Sequence, residues 1–188
     1  MEDKAIEILS LMIGRRGLDT KLDRVTTDDL ERVNLYTIGN ILVIFSQKDK
    51  GLLDRDIQNF LKFAEANAYT NGVIIVALSK PSENVLRVVK GYAKDRVQFF
   101  HIRELQFDIT THRLVAPHRI LKEEEKVALY KELKIKDPAQ QLPPIDSQDV
   151  PVKWIGAVPG DVIEVNRHSD VAGNRLYWRY CVEDVNVA

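Results

Sequence analysis

The sequence predicts an α/β layer over residues 1–109 and a smaller α+β unit over residues 110–188. Two observations carry this. Between Asn40 and His101, short apolar runs alternate with helical patterns, as in strand–helix–strand units with at least partly parallel strands. From Asp149 to Val182, turn chemistry alternates with β-branched and aromatic runs. A boundary near Thr110 separates the two, and no internal repeat or low-complexity tail is present.

Asp3 to Gly14 reads as a helix, with Ile6, Leu9 and Ile13 on one face and Ala5, Ile8 and Met12 beside it. Gly14 can end it. Thr26-Thr27-Asp28-Asp29 offers an N-cap with acids in the first turn, which predicts a second helix to about Val33. Asn40 to Phe45 is a continuous apolar run and fits a buried strand. Gly51 to Asn67 places Leu53, Ile57, Phe60, Leu61 and Ala64 at helical spacing. Asn71-Gly72 marks a turn before a second buried strand, Val73 to Leu78. Pro81 stands where a first helical residue belongs, ahead of Val85, Leu86, Val88 and Val89. Val97 to His101 is a third strand.

Gln106 to Ile109 reads as a short extended piece. Leu121 to Lys126 opens a helix carrying Val127, Leu129, Tyr130 and Leu133, with Lys and Glu intermixed along a solvated face. Asp137 to Pro144 is proline-rich and predicted to be an extended connector. Asp149 to Gly156 is a helical turn, and Pro159-Gly160 a tight turn, since Pro presets φ and Gly accepts a positive φ. Val162 to Val165 and Leu176 to Val182 are strands joined by the loop Ser169 to Gly173. Residues Glu183 to Ala188 are expected to fray.

The formal net charge of −1 leaves no basic footprint of the kind a free-standing nucleic-acid binder shows. No apolar run approaches the ~20 residues that span a bilayer. Met1-Glu2-Asp3-Lys4 is an acidic start with no long apolar core after it, so no secretory signal is expected. The single cysteine, Cys181, rules out an internal disulfide and suits a reducing compartment. His112 and His118 are too few to form a zinc site, which needs three or four ligands. Cys181 lies in a strand among aromatics and reads as a small apolar residue. No glycine-rich nucleotide loop is present. Arg167 and Arg179 lie in or beside strands, where burial would demand a carboxylate partner.

The order of elements from Asp149 to Val182 resembles the C-terminal assembly domain of the fifth-largest subunit of eukaryotic RNA polymerases, a family with a small archaeal homologue. Asp149, Gly156, Gly160, Val162, Arg167, Ser169, Gly173 and Arg179 fall at matching motif positions without gaps. Trp154 stands for an aromatic Tyr and Asp170 for a Glu. Upstream, His112-Arg113-Leu114-Val115-Ala116-Pro117-His118 resembles the family's His-x-Leu-Val-Pro-x-His, and Gln141-Leu142-Pro143 its Gln-Leu-Pro. The likeness covers roughly the last two-fifths of the chain, and several ordered motifs are more specific than any single one.

The resemblance implies a non-catalytic polymerase subunit with no cofactor and no metal of its own. The first part would be a jaw with a restriction-endonuclease-like core, lying near downstream duplex DNA and touching it weakly. The second part would dock on the largest polymerase subunit, beside other subunits. The implied interface residues are Asp149, Val152, Trp154, Gly156, Gly160, Arg167, Ser169, Gly173, Arg179, His112, Pro117 and His118. Arg167 and Arg179 would contact the largest subunit or pair internally to hold the loop Ser169 to Gly173. Lys48 and Lys80, at the ends of adjacent strands, are the candidates for lying near DNA. Neither a membrane nor a second copy of the chain is an expected partner. Trp154 and Pro159-Gly160-Asp161 look more like the versions of large cytoplasmic DNA viruses, which implies host cytoplasm and virion; a cellular version implies the nucleus.

Two rival classes are a free polymerase-binding adaptor and a metal-dependent nuclease. A nuclease needs an acid on one strand and acid-x-Lys on the next, to hold Mg²⁺. Here the triplets are Ser46-Gln47-Lys48 and Leu78-Ser79-Lys80, so the acid is missing from both.

Overall fold

In the computed structural model, which describes every residue except Asp28, Asp49–Lys50, Asp170–Ala172 and Asn186–Ala188, the chain opens with helix α1 (Glu2–Arg15). Its 3.6-residue periodicity buries Ala5, Ile8, Leu9, Met12 and Ile13, while Ile6 is half-buried. The chain divides into two units, Met1–Asp108 and Ile109–Ala188.

The first unit continues with β1 (Leu22–Val25), β2 (Val33–Ile38), β3 (Ile41–Ser46), α2 (Asp54–Ala66), β4 (Val73–Ala77), α3 (Glu83–Gly91) and β5 (Val97–His101). They form one sheet in the order β1-β2-β3-β4-β5. β1, β2 and β3 are antiparallel neighbours, whereas β3, β4 and β5 run parallel. The parallel strands are covered on both faces, which is why β3 and β4 are buried at every position and read as unbroken apolar runs. Leu42, Ile44, Val73, Ile75, Val97 and Phe99 pack with Ile57, Phe60 and Ala64 of α2 and Val85 and Val89 of α3. Polar ties run from the opposite face to α1: Asn34 Nδ2 and Tyr36 Oη donate to Glu2 Oε1 at 2.9 and 3.1 Å, and Arg16 donates to Gln98 Oε1 at 2.8 Å.

The helix expected from Thr26 to about Val33 is absent from the described residues, and Asp28 lies outside them. Thr27 Oγ1 accepts the Asp29 N–H at 3.1 Å, a local side-chain turn that competes with helix initiation. Arg32 then has φ 55°, which no α-helix accommodates. The chain instead enters β2, joined to β3 by Gly39-Asn40 with φ 58° and 61°. Two successive positive φ values make the mirror-image turn that matches the twist of an antiparallel pair. Leu53, expected on the apolar face of α2, is instead its exposed N-cap. Pro81 lies before the next helix, which begins at Glu83; Ser82 is its N-cap, and its side chain accepts the Val85 N–H at 3.3 Å. The stretch expected to be extended from Gln106 to Ile109 is bounded by two 3₁₀ turns, Ile102–Leu105 and Ile109–Thr111.

The second unit contains β6 (His118–Ile120), α4 (Glu123–Glu132), α5 (Pro138–Gln141), β7 (Pro144–Asp146), α6 (Val150–Ile155), β8 (Val162–Ser169) and β9 (Gly173–Val182). Its sheet has the order β6-β8-β9-β7, antiparallel except for the β7–β9 pair. The connector expected to be extended is a capped turn of helix followed by β7. Asp137 accepts the Ala139 N–H at 3.1 Å, Pro138 occupies the first turn, and Gln141 Oε1 accepts from Lys136 N at 2.6 Å and Asp137 N at 2.9 Å. On α4, Leu129 is buried while Val127 and Leu133 are exposed, so its apolar contact is narrower than the sequence implied. Arg119 of β6 ties α4 to β8 through Glu125 Oε1 at 2.8 Å and Glu164 Oε1 at 2.7 Å.

Gly39→Ala should destabilise the first unit by about 2 kcal/mol or more. A Cβ there forces a positive φ on a substituted residue and lies 2.5 Å from the Asp19 carbonyl oxygen. Urea denaturation of the full chain would measure it; an unchanged midpoint would refute the hairpin geometry.

Candidate docking site

The C-terminal motif residues are set by one local frame. Asp149 caps α6, its Oδ1 accepting the Val150 N–H at 2.9 Å, and Pro151 sits in the first turn, where it breaks no helical bond. Gly156 ends α6 with φ 73°, while Gly156 N and Ala157 N donate back to the carbonyls of Lys153 and Val152 at 3.1 and 3.3 Å. Asp161 Oδ2 accepts the Val158 N–H at 2.9 Å and closes the turn through Pro159 and Gly160. The Cys181 N–H donates to Asp161 O at 2.8 Å, which delivers the chain into β8.

A groove of about 620 Å³ opens on this unit where the pairing of β6 with β8 stops. Its lining includes Pro117, His118, Asp149, Arg167 and Arg179 from the sequence-derived set, together with Arg113, Leu114, Ile145, Val165 and Asn166. Three arginines face one carboxylate, Asp149, so the lining is cationic. Arg167 is exposed, with its guanidinium carbon 5.7 Å from the centroid of the Tyr177 ring. Arg179 Nη1 donates to Pro144 O at 3.2 Å. Neither makes an ion pair among the described residues, and Asp170, the carboxylate of the loop they were expected to contact if they pair internally, lies outside those residues.

His118 Nδ1 lies 2.6 Å from Ala116 O; a carbonyl only accepts, so this nitrogen carries the proton. Burial pushes its imidazole below the ordinary histidine range, against the opposing pull of that bond and of Asp149. Asn166 donates its backbone N–H to Pro117 O at 3.0 Å, and its buried side-chain Oδ1 has no hydrogen-bond partner among the described residues.

The remaining sequence-derived residues lie elsewhere. Val152 and Trp154 are buried in their own unit, at 0% and 3% exposure, and shape the surface from beneath. Gly156 and Gly160 form the turns described above. Ser169 and Gly173 are register partners at the end of the β8–β9 ladder, and the loop residues Asp170–Ala172 between them lie outside the described residues. His112 is exposed and accepts the Leu114 N–H at Nδ1, 3.3 Å away. In the first unit, Lys48 follows β3, and its Nζ donates to Asp56 Oδ1 at 2.8 Å, so its charge is already compensated. Lys80 follows the neighbouring β4 and is exposed. Arg113 and Asn166 are groove residues that were not singled out from the sequence. Arg113 sits inside the His112–His118 motif and was legible there, whereas Asn166 gave no signal.

No group of three His, Cys, Asp or Glu converges on a metal position among the described residues. Cys181 is fully buried, and burial pushes its thiol up to about 12.

The family description "RNA polymerase Rpb5, C-terminal domain" matches residues 107–181. The chain is 51% identical over 79 residues to DNA-directed RNA polymerase subunit Rpo5 of Thermococcus onnurineus, covering 42% of this chain and 94% of that protein. It belongs to the Rpb5/Rpo5 family. The Pyrococcus horikoshii Rpo5 is 53% identical over the same length, again covering 42% of this chain and 94% of that protein. DNA-directed RNA polymerase V subunit 5A of Arabidopsis thaliana is 31% identical over 111 residues, covering 59% of this chain and 48% of that one. A match of that length exceeds the second unit and so reaches into the first.

Two outcomes test this geometry. Cys181 should resist alkylation at pH 8 and react only after unfolding in urea, because the thiolate is the nucleophile; rapid labelling of the native chain would contradict its burial. Asp56→Ala should cost about 1–2 kcal/mol near pH 7, since Asp56 also accepts the Leu53 N–H at the start of α2 at 3.0 Å. Burial raises the Asp56 pKa, but the Lys48 and Leu53 bonds outweigh it and leave it lowered. Its stabilisation is therefore present above the unfolded value of about 3.9 and lost as the pH falls through the lower folded value. Urea midpoints that separate the two proteins at neutral pH should converge in acid.

Proposed function

We propose that this chain is a non-catalytic subunit of a multisubunit DNA-directed RNA polymerase. The observation that carries the reading is the near-complete coverage of an archaeal polymerase subunit at half identity. In this reading the second unit docks on the largest subunit through the groove beside β8, and its other motif residues hold that surface in shape. A cationic, partly apolar groove supports a binding role. The first unit is the jaw beside downstream duplex DNA. Lys80 is the better of the two candidates for a phosphate contact, because Lys48 is held by Asp56. Phosphoryl transfer and its metal belong to other subunits.

The proposed location is intracellular. It is the nucleus for a eukaryotic cellular source, and host cytoplasm and virion for a virus-encoded one, the reading that Trp154 and Pro159-Gly160-Asp161 favour.

Recovery of tagged full-length chain from its native source, washed at high salt and quantified by mass spectrometry, tests the assignment. Equimolar recovery with the two largest polymerase subunits is expected. Substoichiometric, salt-labile recovery would instead mark a free adaptor, and recovery alone would remove the polymerase reading.

A further inference from the structure

The β8–β9 ladder places Arg167 directly opposite Arg175, with Val165 opposite Tyr177 and Ile163 opposite Arg179. Direct partners in an antiparallel pair project to the same face, and alternate residues along one strand do so too. Arg167, Arg175 and Arg179 therefore share the face that carries Ile163 and Val165. Two like charges in direct register repel. Among the described residues no carboxylate pairs with Arg167 or Arg175. Both are exposed, as is most of the ladder beyond Asn166. Of the pair, Arg167 lines the groove, together with Leu114, 78% exposed, and with Val165 and Ile145.

We infer that the groove takes an acidic polypeptide segment, with a carboxylate seated against the Arg167–Arg175 pair and an apolar neighbour against Leu114; this rests on the polymerase-subunit reading above. Arginine forks match carboxylates in two-point geometry, and the incoming negative charge converts a repulsive register pair into a bridge. A polypeptide fits better than a nucleic-acid strand. The lining mixes apolar and cationic groups instead of presenting an unbroken basic track for phosphates, and Asp149 in the same lining can accept peptide N–H donors. The chain's overall charge of −1 provides no long-range attraction for nucleic acid.

The test uses the tagged full-length chain expressed in its native source, comparing polymerase recovery at moderate salt. The double variant R167E/R175E should lower recovery about tenfold, a loss of one decade in affinity. R167K/R175K should retain most of it, and K131E, an exposed reversal on α4, should leave it unchanged. Circular dichroism checks that each variant is folded. A photo-crosslinking residue at Leu114 of the otherwise unaltered chain reads the occupant directly: an acidic peptide of the polymerase is expected. Undiminished recovery of R167E/R175E, or a crosslink to nucleic acid or to a peptide without acids, overturns the inference while leaving the subunit assignment standing. Failure of the unaltered chain to recover polymerase removes the assignment itself.

Discussion

The pairing of β8 with β9 is the constraint on which the second unit depends. The other two strands of that sheet attach to its outer edges, β6 to β8 and β7 to β9. Its period of two divides the apolar residues between two clusters. Ile163, Val165 and Cys181 pack with Val152 and Ala157, while Val162, Trp178 and Tyr180 pack with Leu121, Leu129 and Leu142. A slip of one residue would exchange every one of these side chains between faces, so burial on both sides fixes the register. The same register then dictates what happens where the covering elements stop. Past Val165 the ladder continues without β6, and the residues it must expose there include Arg167 and Arg175. The site is thus a consequence of a fold that runs longer than its own core.

How legible this was in the sequence depended on whether local chemistry and tertiary packing agreed. Apolar runs such as Ile41 to Phe45 declared themselves because strands buried on both faces have no polar alternation to obscure them. The turn at Gly156 and Gly160 was equally plain, since both positions need a positive φ. The strand Val33–Ile38 was hidden. Its flank carries good capping residues, yet Thr27 spends its side chain on Asp29, and β2 gains its stability from register with β3. The short strands β6 and β7 were also missed, because three-residue edges take their conformation from the long strands they join. The groove was legible in part. The motif residues Pro117, His118, Asp149, Arg167 and Arg179 pointed to it, but Arg175 is significant only once its partner across the ladder is known.

The first unit illustrates the difference between a fold and a function. Its three parallel strands present their carboxyl ends together, the edge where many α/β proteins place chemistry. Among the described residues no group of three His, Cys, Asp or Glu that could hold a metal is found there. Ser46 stands where an acid would hold a metal, and the buried acid Asp56 is occupied by Lys48 and by the start of α2. A lysine held in this way is a structural cation. Its bond to Asp56 joins the loop after β3 to the helix beyond it.

Net charge and charge placement act separately in this chain. Lys plus Arg and Asp plus Glu nearly cancel, at 27 against 28. Beyond a Debye length of about 8 Å at physiological ionic strength, a partner therefore meets little net field. Within that distance it meets three arginines against one aspartate, beside apolar surface. Attraction so short in range contributes mainly after contact, once apolar surface has excluded water and the local dielectric has dropped. Such a surface favours partners that bring complementary shape and charge together and gives little to a polyanion passing at a distance.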